Sequence, residues 1–395
     1  MNDTATIQGY RLSSQQERVW LMEQVEGRPI CRVRCEVLIR GPLDHKRLET
    51  ALAEIVARHE ILRTGFSIFP GMSNPLQIIR EPEWVPLEIH RDGAEDGHDR
   101  PRSMQQADAA AERQQMFTLR EGSATEHVLL INLPSLCIDR TAVGLLVEEI
   151  AKAYHAAQND SRALEPMQYA DYAEWQFEVL EAADEETLRL QRKLHEYSGT
   201  SPLRLLWRNS NVFEPSFDPE WLRAPVGQEI CTALQALAGK FGCSIEHVWM
   251  ACWETFLWRI GGNDEGLLLA AVINARRHEP LQRAIGNMTV TVPYRRVLSP
   301  EMDIQQVLRQ VESTRISIEE SLEYFSWDSV SGIPQYKKMP YAPVVFEFTP
   351  TRGHKPGKDF AFSLGRIDVC AEPFDLKLVV NQLEQTAELE FLYNS

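Results

Sequence analysis

The stretch Ile131-Asn-Leu-Pro-Ser-Leu-Cys-Ile-Asp-Arg-Thr141 connects an apolar run to a segment with helical periodicity. The run before it, His127-Val-Leu-Leu-Ile-Asn-Leu133, is short and apolar, which predicts a buried strand. Thr141 is predicted as the N-cap of a helix, whose apolar residues recur at helical spacing at Val143, Leu146, Val147, Ile150 and Tyr154. The chain is therefore expected to leave a core strand, turn at Asp139-Arg140 and enter an amphipathic helix.

Strand and helix patterns alternate along the rest of the chain. Leu12–Met22 is predicted to be a helix, with Ser13 or Ser14 as its cap. Apolar residues alternate with polar ones over residues 31–39, which predicts a half-buried strand, and a helix with an apolar face follows at residues 48–56. In the second half, residues 230–241 and 247–260 have helical patterns, and Leu267–Ile273 is a continuous apolar run typical of a buried strand. The sequence therefore predicts an α/β fold.

The length of 395 residues suggests two units that each bury a core. Residues 199–227 are rich in Pro, Ser and Asn, which predicts a crossover linker. We therefore expect an N-terminal unit at residues 1–198 and a C-terminal unit at residues 228–395.

Composition argues against several classes of function. The formal charge of −16 disfavours binding to nucleic acid or anionic lipid, and no apolar run approaches the ~18 residues that span a bilayer. The N-terminus lacks an export signal, so a cytoplasmic location is expected. The seven cysteines include no Cys-x-x-Cys pair, which favours buried thiols over a metal site.

Several motifs in order along the chain resemble those of one enzyme family. Arg58-His-Glu-Ile-Leu-Arg-Thr-Gly-Phe66 matches every fixed position of the signature Arg-His-Glu-x-Leu-Arg-Thr-x-Phe. Trp20 ends a match to Ser-x-Ala-Gln-x-Arg-Leu-Trp, and Tyr169-Ala-Asp-Tyr-Ala-Glu-Trp175 matches a third signature. With these motifs, the chain resembles the condensation domains of nonribosomal peptide synthetases.

That resemblance implies a specific architecture and specific partners. The family fold consists of two chloramphenicol-acetyltransferase-like subdomains, each an α+β sandwich, arranged as a V-shaped pseudo-dimer. Carrier proteins deliver thioesters on phosphopantetheine arms through a tunnel, from opposite sides, and an adenylation domain is a usual neighbour. The resemblance implies no cofactor or metal bound by the domain itself.

The catalytic motif of the family, His-His-x-x-x-Asp-Gly, is degenerate in this chain. Alignment on Asp139 puts Pro134 and Ser135 at the two histidine positions and Arg140 at the glycine position. In relatives, the second histidine handles the proton of the attacking amine; a serine hydroxyl has no useful basicity at neutral pH. We therefore expect no catalytic residue here. For Arg140 two alternatives are open: its long charged side chain obstructs the tunnel, or it changes the charge of the tunnel.

Asp139, by contrast, has a structural role in relatives, where it forms a salt bridge that holds the loop. Its expected partners here are Arg63 and Arg295. Cys137 is interpreted as a buried apolar thiol and not as a nucleophile. The histidines considered as replacements for the missing base are interpreted as surface or core residues. They comprise His59, His127, His247 and His278.

Three functional hypotheses follow from this pattern. The first is a non-catalytic docking platform, like the X and interface domains that recruit a tailoring oxygenase to an aminoacyl carrier protein. The second is a divergent but active domain that forms an amide, ester or ring by substrate positioning alone. The third is a structural remnant that supports a neighbouring adenylation domain.

Overall fold

The computed structural model describes residues 9–72, 74–82, 87–91, 116–156, 166–198, 217–261, 266–350 and 361–394. The α-helices of these residues are α1 (Ser14–Glu26), α2 (His45–Arg58), α3 (Arg140–His155), α4 (Tyr169–Ala182), α5 (Glu185–Leu194), α6 (Gln228–Phe241), α7 (Ile245–Gly261) and α8 (Ile304–Ser321). The strands are β1 (Tyr10–Arg11), β2 (Arg32–Arg40), β3 (Thr64–Ser67), β4 (Leu76–Ile79), β5 (Glu88–Arg91), β6 (Phe117–Glu121), β7 (Glu126–Pro134), β8 (Pro219–Val226), β9 (Leu267–Asn274), β10 (Thr289–Arg296), β11 (Gln335–Tyr336), β12 (Met339–Pro340), β13 (Val344–Pro350), β14 (Ala361–Val369), β15 (Leu376–Gln382) and β16 (Ala387–Asn394).

Two large sheets organise the chain. The first has the strand order β14-β2-β7-β6-β5, and the second has the order β10-β9-β13-β15-β16-β8. Each sheet is associated with a hydrophobic cluster of buried side chains. In β2, Val33, Cys35, Val37 and Ile39 are all buried, as their alternation with polar residues predicts. The buried strands expected at residues 127–133 and 267–273 are confirmed as β7 and β9.

The caps of α1 and α3 illustrate one correct prediction and one error. Ser13 caps α1 in a reciprocal capping box with Gln16, as the sequence suggests. Thr141, however, is not the cap of α3. The cap is Asp139, whose carboxylate accepts a hydrogen bond from the backbone N–H of Ala142 at 2.7 Å.

The two sheets do not follow the division of the sequence into halves. Within the predicted linker at residues 199–227, residues 199–216 lie outside the described residues, but Pro219–Val226 forms β8, an edge strand paired with β16. The C-terminal half also supplies β14 to the first sheet, where it pairs antiparallel with β2. The expectation of an irregular linker throughout this region was therefore wrong, because β8 finds its hydrogen-bond partners in the distant strand β16.

The part of the chain that the structure describes contains neither a membrane-spanning helix nor a metal-binding cluster. No helix there is long and apolar enough to cross a membrane. No group of three or more His, Cys, Asp or Glu residues there is arranged to hold a metal ion.

His195 is a buried histidine at the C-terminal end of α5. The ring Nδ1 of His195 lies 3.2 Å from the Tyr197 hydroxyl, and the ring packs edge-on against Phe325 at 4.9 Å between centroids. Burial disfavours the charged imidazolium and lowers the pKa of His195 from 6.5 to about 4. This histidine is therefore neutral in the folded chain at neutral pH.

The depressed pKa of His195 predicts a loss of stability in mild acid. Between pH 6.5 and 4 the unfolded chain binds a proton at this position that the folded chain does not, so the free energy of unfolding should fall by up to about 3 kcal/mol. His195→Leu should remove this contribution and reduce the slope of stability against pH by about 1.4 kcal/mol per unit in that window. Urea unfolding at several pH values measures the slope. His90→Leu, at an exposed position of β5, should leave the slope unchanged, and an unchanged slope in His195→Leu would contradict the prediction.

Candidate functional site

The turn between β7 and α3 is organised by the buried carboxylate of Asp139. Besides capping α3, this carboxylate accepts hydrogen bonds from the Arg276 guanidinium at 2.8 Å and from the Met288 backbone N–H at 2.7 Å. Asp139 and Arg276 are both almost fully buried, so their charges compensate one another away from water. The carboxylate thereby joins the first half of the chain to two segments of the second.

This arrangement corrects the expected partners of Asp139. Arg63 instead donates to the carbonyl of Arg80 and lies 3.5 Å from the Glu60 carboxylate. Arg295 is exposed beside Gly266, at the opposite end of β10 from Met288. The prediction was wrong because it relied on motif positions, whereas Arg276 reaches Asp139 from the segment that follows β9.

The loop that carries Met288 is packed tightly against α4. The Tyr169 hydroxyl donates to the carbonyl of Asn287 at 2.5 Å and lies 2.7 Å from the Ser13 hydroxyl. A Cβ atom at Gly286 would lie 1.9 Å from the Tyr169 ring, so only glycine fits there. The Arg276 guanidinium also donates to the Gly286 carbonyl at 2.8 Å. Ser13 and Tyr169, which come from two of the sequence signatures, thus meet at one structural joint.

Ser135 is buried and its polar groups are all engaged. Its hydroxyl donates to the carbonyl of Cys370, its N–H donates to the carbonyl of Cys31 at 2.9 Å, and its own carbonyl accepts from the Asn287 amide at 2.9 Å. Only 1% of its surface is exposed. Pro134, at the other histidine position, ends β7 opposite Arg32 of β2. Neither position offers a basic group to the turn.

The alternative nucleophile and bases considered from the sequence lie in structural environments. Burial raises the pKa of the Cys137 thiol to about 12, so the thiol is unreactive at neutral pH. His59 is buried with its ring Nε2 2.7 Å from the Glu149 carboxylate of α3. His127 lies at the start of β7, at the opposite end of the strand from Ser135. His278 pairs with Glu323 near the surface at 2.9 Å, and its ring also contacts Trp175.

The remaining signature residues contact the helices and the hydrophobic cluster of the N-terminal half. Arg58 lies 3.6 Å from the Glu149 carboxylate, which also contacts His59, and the Glu60 backbone N–H donates to the side chain of Gln168 at 3.0 Å. Trp20 is partly buried and packs against the first hydrophobic cluster. These contacts hold α2, α3 and α4 together.

Arg140, at the motif's glycine position, reaches across into the second sheet. Its guanidinium lies 3.3 Å from the carboxylate of Glu347 on β13 and 3.3 Å from that of Glu390 on β16. Burial alone would lower the pKa of Arg140, but the carboxylates of Glu390 and Glu347 raise it above its ordinary value. Burial likewise favours the neutral form of Glu347, but Lys377 and Arg140 hold the pKa of that carboxyl below its usual range. Arg140 and Glu347 are therefore both charged at neutral pH.

Further charges extend this cluster toward the edge strand β8. Arg223 of β8 lies 3.3 Å from the Glu390 carboxylate and 3.0 Å from that of Asp368 on β14. The Asp368 carboxylate also contacts Arg366 at 2.7 Å. Basic and acidic groups thus alternate from α3 through the second sheet to β14 of the first sheet. We call Arg140, Glu347, Lys377, Glu390, Arg223, Asp368 and Arg366 the junction cluster.

Two cavities lie on either side of Arg140. The larger, of about 1320 Å³, has Glu390 in its wall, and the smaller, of about 50 Å³, has Glu347 in its wall. Arg140 and Val272 line both cavities. Arg140 therefore lies between the two cavities, and we call Arg140 with Glu347 and Glu390 the partition.

The whole chain matches a known family. A model of the family described as "Condensation domain" matches residues 6–395. The chain belongs to the condensation-domain family. Surfactin synthase subunit 1 of Bacillus subtilis (strain 168) is 26% identical over 388 residues, which are 96% of this chain and 10% of that protein. Malpibaldin synthetase of Mortierella alpina is 28% identical over 322 residues, which are 78% of this chain and 6% of that protein. The domain thus spans about a tenth or less of these relatives.

Solved structures confirm the expected fold class. The condensation domain of the Monacolin K polyketide synthase MokA superposes with a TM-score of 0.81 at 16% identity, covering 99% of this chain and 93% of that one. The X-domain from teicoplanin biosynthesis gives a TM-score of 0.78 at 20% identity, with 99% and 91% coverage. Together with the two mixed sheets, these similarities show the chloramphenicol-acetyltransferase-like α/β fold of condensation domains.

Three important residues of the site were not recognised in the sequence. Arg276 lies two residues after the end of the buried strand β9, where a basic residue close to a core is a sign of a buried ion pair. Glu347 interrupts the apolar run of β13, and Glu390 occupies a buried position of β16. A carboxylate in a buried strand requires a counter-charge, but the pattern alone does not say that Arg140 supplies it.

Removing the charge of Arg140 should destabilise the domain in a way that depends on its partners. Arg140→Met should lower the free energy of unfolding by about 1.5–3 kcal/mol, because Glu347 and Glu390 each lose one of their two cations and keep only Lys377 and Arg223. In a Glu347→Gln/Glu390→Gln background the same substitution should be neutral or stabilising. Urea unfolding measures the stability cost of Arg140→Met in each of the two backgrounds.

The matched control for this experiment is Arg192→Met, an exposed arginine on α5. It should change stability by no more than about 0.5 kcal/mol. An equal cost of Arg140→Met in both backgrounds would contradict the ionic role assigned to the junction cluster.

Proposed function

We propose that this domain is a condensation-like module of a nonribosomal peptide synthetase that has lost condensation chemistry and acts as a docking platform. In this role it recruits a tailoring enzyme, of the oxygenase or hydroxylase class, to an aminoacyl group held on the phosphopantetheine of a carrier protein. An adenylation domain is the other expected neighbour. The domain itself contributes binding surfaces and no reacting group.

The observation that carries the proposal is the partition formed by Arg140. Condensation requires two thioesters to meet at one point, so a passage must be continuous from both sides. Here a buried arginine is held between Glu347 and Glu390, and one cavity ends on each side of it. Displacing this side chain would strand buried charges, which is unfavourable by several kcal/mol (~3–5). The closed partition supports loss of transfer.

The environment of Ser135 supports the same conclusion. A general base must lie within hydrogen-bond reach of the proton that it accepts. The hydroxyl of Ser135 donates a hydrogen bond to the Cys370 carbonyl. Neither Ser135 nor Asp139 lines either cavity. The alternative, a divergent but active condensation domain, would have to proceed without a base and through the partition.

Comparison with solved structures supports recruitment as the remaining role. One of them is a complex of the X-domain and OxyB from teicoplanin biosynthesis, and its condensation-like chain gives a TM-score of 0.76 at 20% identity over 99% of this chain. That structure shows that a domain of this fold binds a second protein. We extend this role to the present chain because its junction is closed to transfer.

A transfer assay tests the loss of condensation chemistry. Donor and acceptor carrier proteins loaded with amino acids are mixed with the domain, and intact-protein mass spectrometry detects any dipeptidyl carrier protein. We expect none, because the two thioesters cannot meet across Arg140. A standard condensation domain, working with the same carrier proteins, serves as the positive control. A dipeptidyl product that depends on this domain would overturn the proposal and favour the divergent-enzyme alternative.

A second assay tests recruitment. An oxygenase encoded beside this chain is given an aminoacyl carrier protein with and without the domain, and hydroxylated product is measured on the intact carrier protein. We expect the domain to raise the rate about tenfold or more, because docking raises the effective concentration of the enzyme near its substrate. A standard condensation domain should give no increase. Equal rates with this domain and with that control would refute recruitment.

A further inference from the structure

A pair of buried cysteines lies beside the degenerate motif. Cys31 immediately precedes β2, and Cys370 immediately follows β14, the strand that the C-terminal half contributes to the first sheet. Their exposed fractions are 0% and 2%. The fold thus brings together two thiols from distant parts of the chain, and the proposed function uses neither of them.

Hydrogen bonds fix the backbone of both cysteines. The Cys370 N–H donates to the Arg32 carbonyl at 3.0 Å, which continues the antiparallel pairing of β14 with β2. Ser135 connects the two cysteines, because its N–H donates to the Cys31 carbonyl at 2.9 Å and its hydroxyl donates to the Cys370 carbonyl. The residue at the second histidine position of the motif therefore holds the two cysteine backbones side by side.

The two thiols meet within this frame. The Cys31 thiol lies 3.8 Å from the carbonyl oxygen of Ala371, the residue after Cys370, and it is in hydrogen-bond contact with the Cys370 thiol. Neighbouring strands are ~4.7–4.9 Å apart and each residue advances ~3.4 Å, so cysteines one row apart on such strands fall within the ~4.4–6.8 Å between Cα atoms that a disulfide spans. Closing a bond between these thiols therefore needs little movement of either strand.

The environment of the pair slows its reaction but does not oppose the product. The hydrogen bond with Cys370, together with burial, raises the pKa of the Cys31 thiol well above its ordinary value, so the reactive thiolate is scarce at neutral pH. Exchange with an outside reagent is therefore slow and proceeds when β14 opens locally from β2. At equilibrium the contact between the thiols favours the bond, because two groups held together have a high effective concentration.

We propose that Cys31 and Cys370 form a redox-sensitive cross-linking site, at which a low-molecular-weight disulfide such as oxidised glutathione covalently joins β14 to β2. One protein thiol attacks oxidised glutathione, forms a mixed disulfide and releases one reduced glutathione. The second protein thiol then attacks the protein sulfur of that bond, the Cys31–Cys370 disulfide forms and a second reduced glutathione leaves. The two protein thiols are oxidised, and glutathione takes up their two electrons and two protons.

The cross-link acts on the junction as well as on the first sheet. Asp368 lies two residues before Cys370 on β14 and pairs with Arg223 of the junction cluster at 3.0 Å. A bond at Cys370 holds this end of β14 against β2. Oxidation therefore stabilises the contact between β14 and the second sheet, whether or not the domain recruits an enzyme.

Equilibration of the purified domain with glutathione tests the inference. The domain is left in an excess of oxidised glutathione until its mass no longer changes, free thiols are then alkylated, and the protein is examined by intact-mass and peptide-mapping mass spectrometry without reduction. We expect the mass of the oxidised protein to be lower by two hydrogen atoms, with Cys31 and Cys370 in one cross-linked pair of peptides. Thiols that stay free, or a bond from either of them to another cysteine, would overturn the proposal.

Stability measurements on single variants locate the bond. Oxidation should raise the midpoint of thermal unfolding by about 5 °C or more, because a bond that closes so long a loop restricts the unfolded chain. Cys370→Ser should abolish both the cross-link and this rise. The matched control is Cys137→Ser, at another buried thiol of the motif, which should keep both.

A rise of the midpoint on oxidation that is equal in Cys370→Ser and in the unsubstituted domain would refute the assignment of the site. The peptide map of the unsubstituted domain decides the question if a variant does not fold. These experiments use neither a carrier protein nor an oxygenase. Their failure would leave the docking role in place, and a dipeptidyl product in the transfer assay would leave the cross-linking site in place.

Discussion

A carboxylate removed from water must be paired with cations or hydrogen-bond donors, and Asp139 satisfies this requirement with groups from three segments. The first turn of α3, the Arg276 guanidinium and the Met288 backbone all donate to it. Loss of such a buried pair is unfavourable by about 3–5 kcal/mol. The same contacts fix where α3 begins, and therefore the direction in which Arg140 leaves the helix. The geometry of the whole junction depends on this one ionised side chain.

Asp139 and Arg140 are neighbours in one motif, but their structural roles in this chain differ. Asp139 keeps the role that holds the fold, whereas Arg140 has acquired partners in the second sheet that glycine could not have. Its two carboxylate partners, Glu347 and Glu390, are also paired with Lys377 and Arg223, so the arginine joins two ion pairs into one buried cluster. Membership of the family therefore predicts the architecture, but the chemistry must be read from the site itself.

The sequence predicted the elements well where local patterns dominate, as in the capping box of Ser13 and the alternation in β2. It failed where the partner is distant. Arg276 was not recognised as the counter-ion of Asp139, because an ion pair between two halves leaves no periodic signal. For the same reason, β8 was interpreted as linker, although it pairs with β16. Charged residues inside apolar strands, such as Glu347, were the available sign of a buried ionic cluster.

The position of β14 affects how the protein is made on the ribosome. The first sheet lacks one edge strand until residues 361–369 have been synthesised, although β2 and β7 are complete long before. At about 5–20 residues per second, synthesis from β7 to β14 takes roughly 10–45 s, and during this time β2 has an open edge that carries four buried apolar side chains on one face. Unpaired edges of this kind pair readily with other chains. Nascent chains of this domain therefore pass through an aggregation-prone interval, which truncation before residue 361 would make permanent.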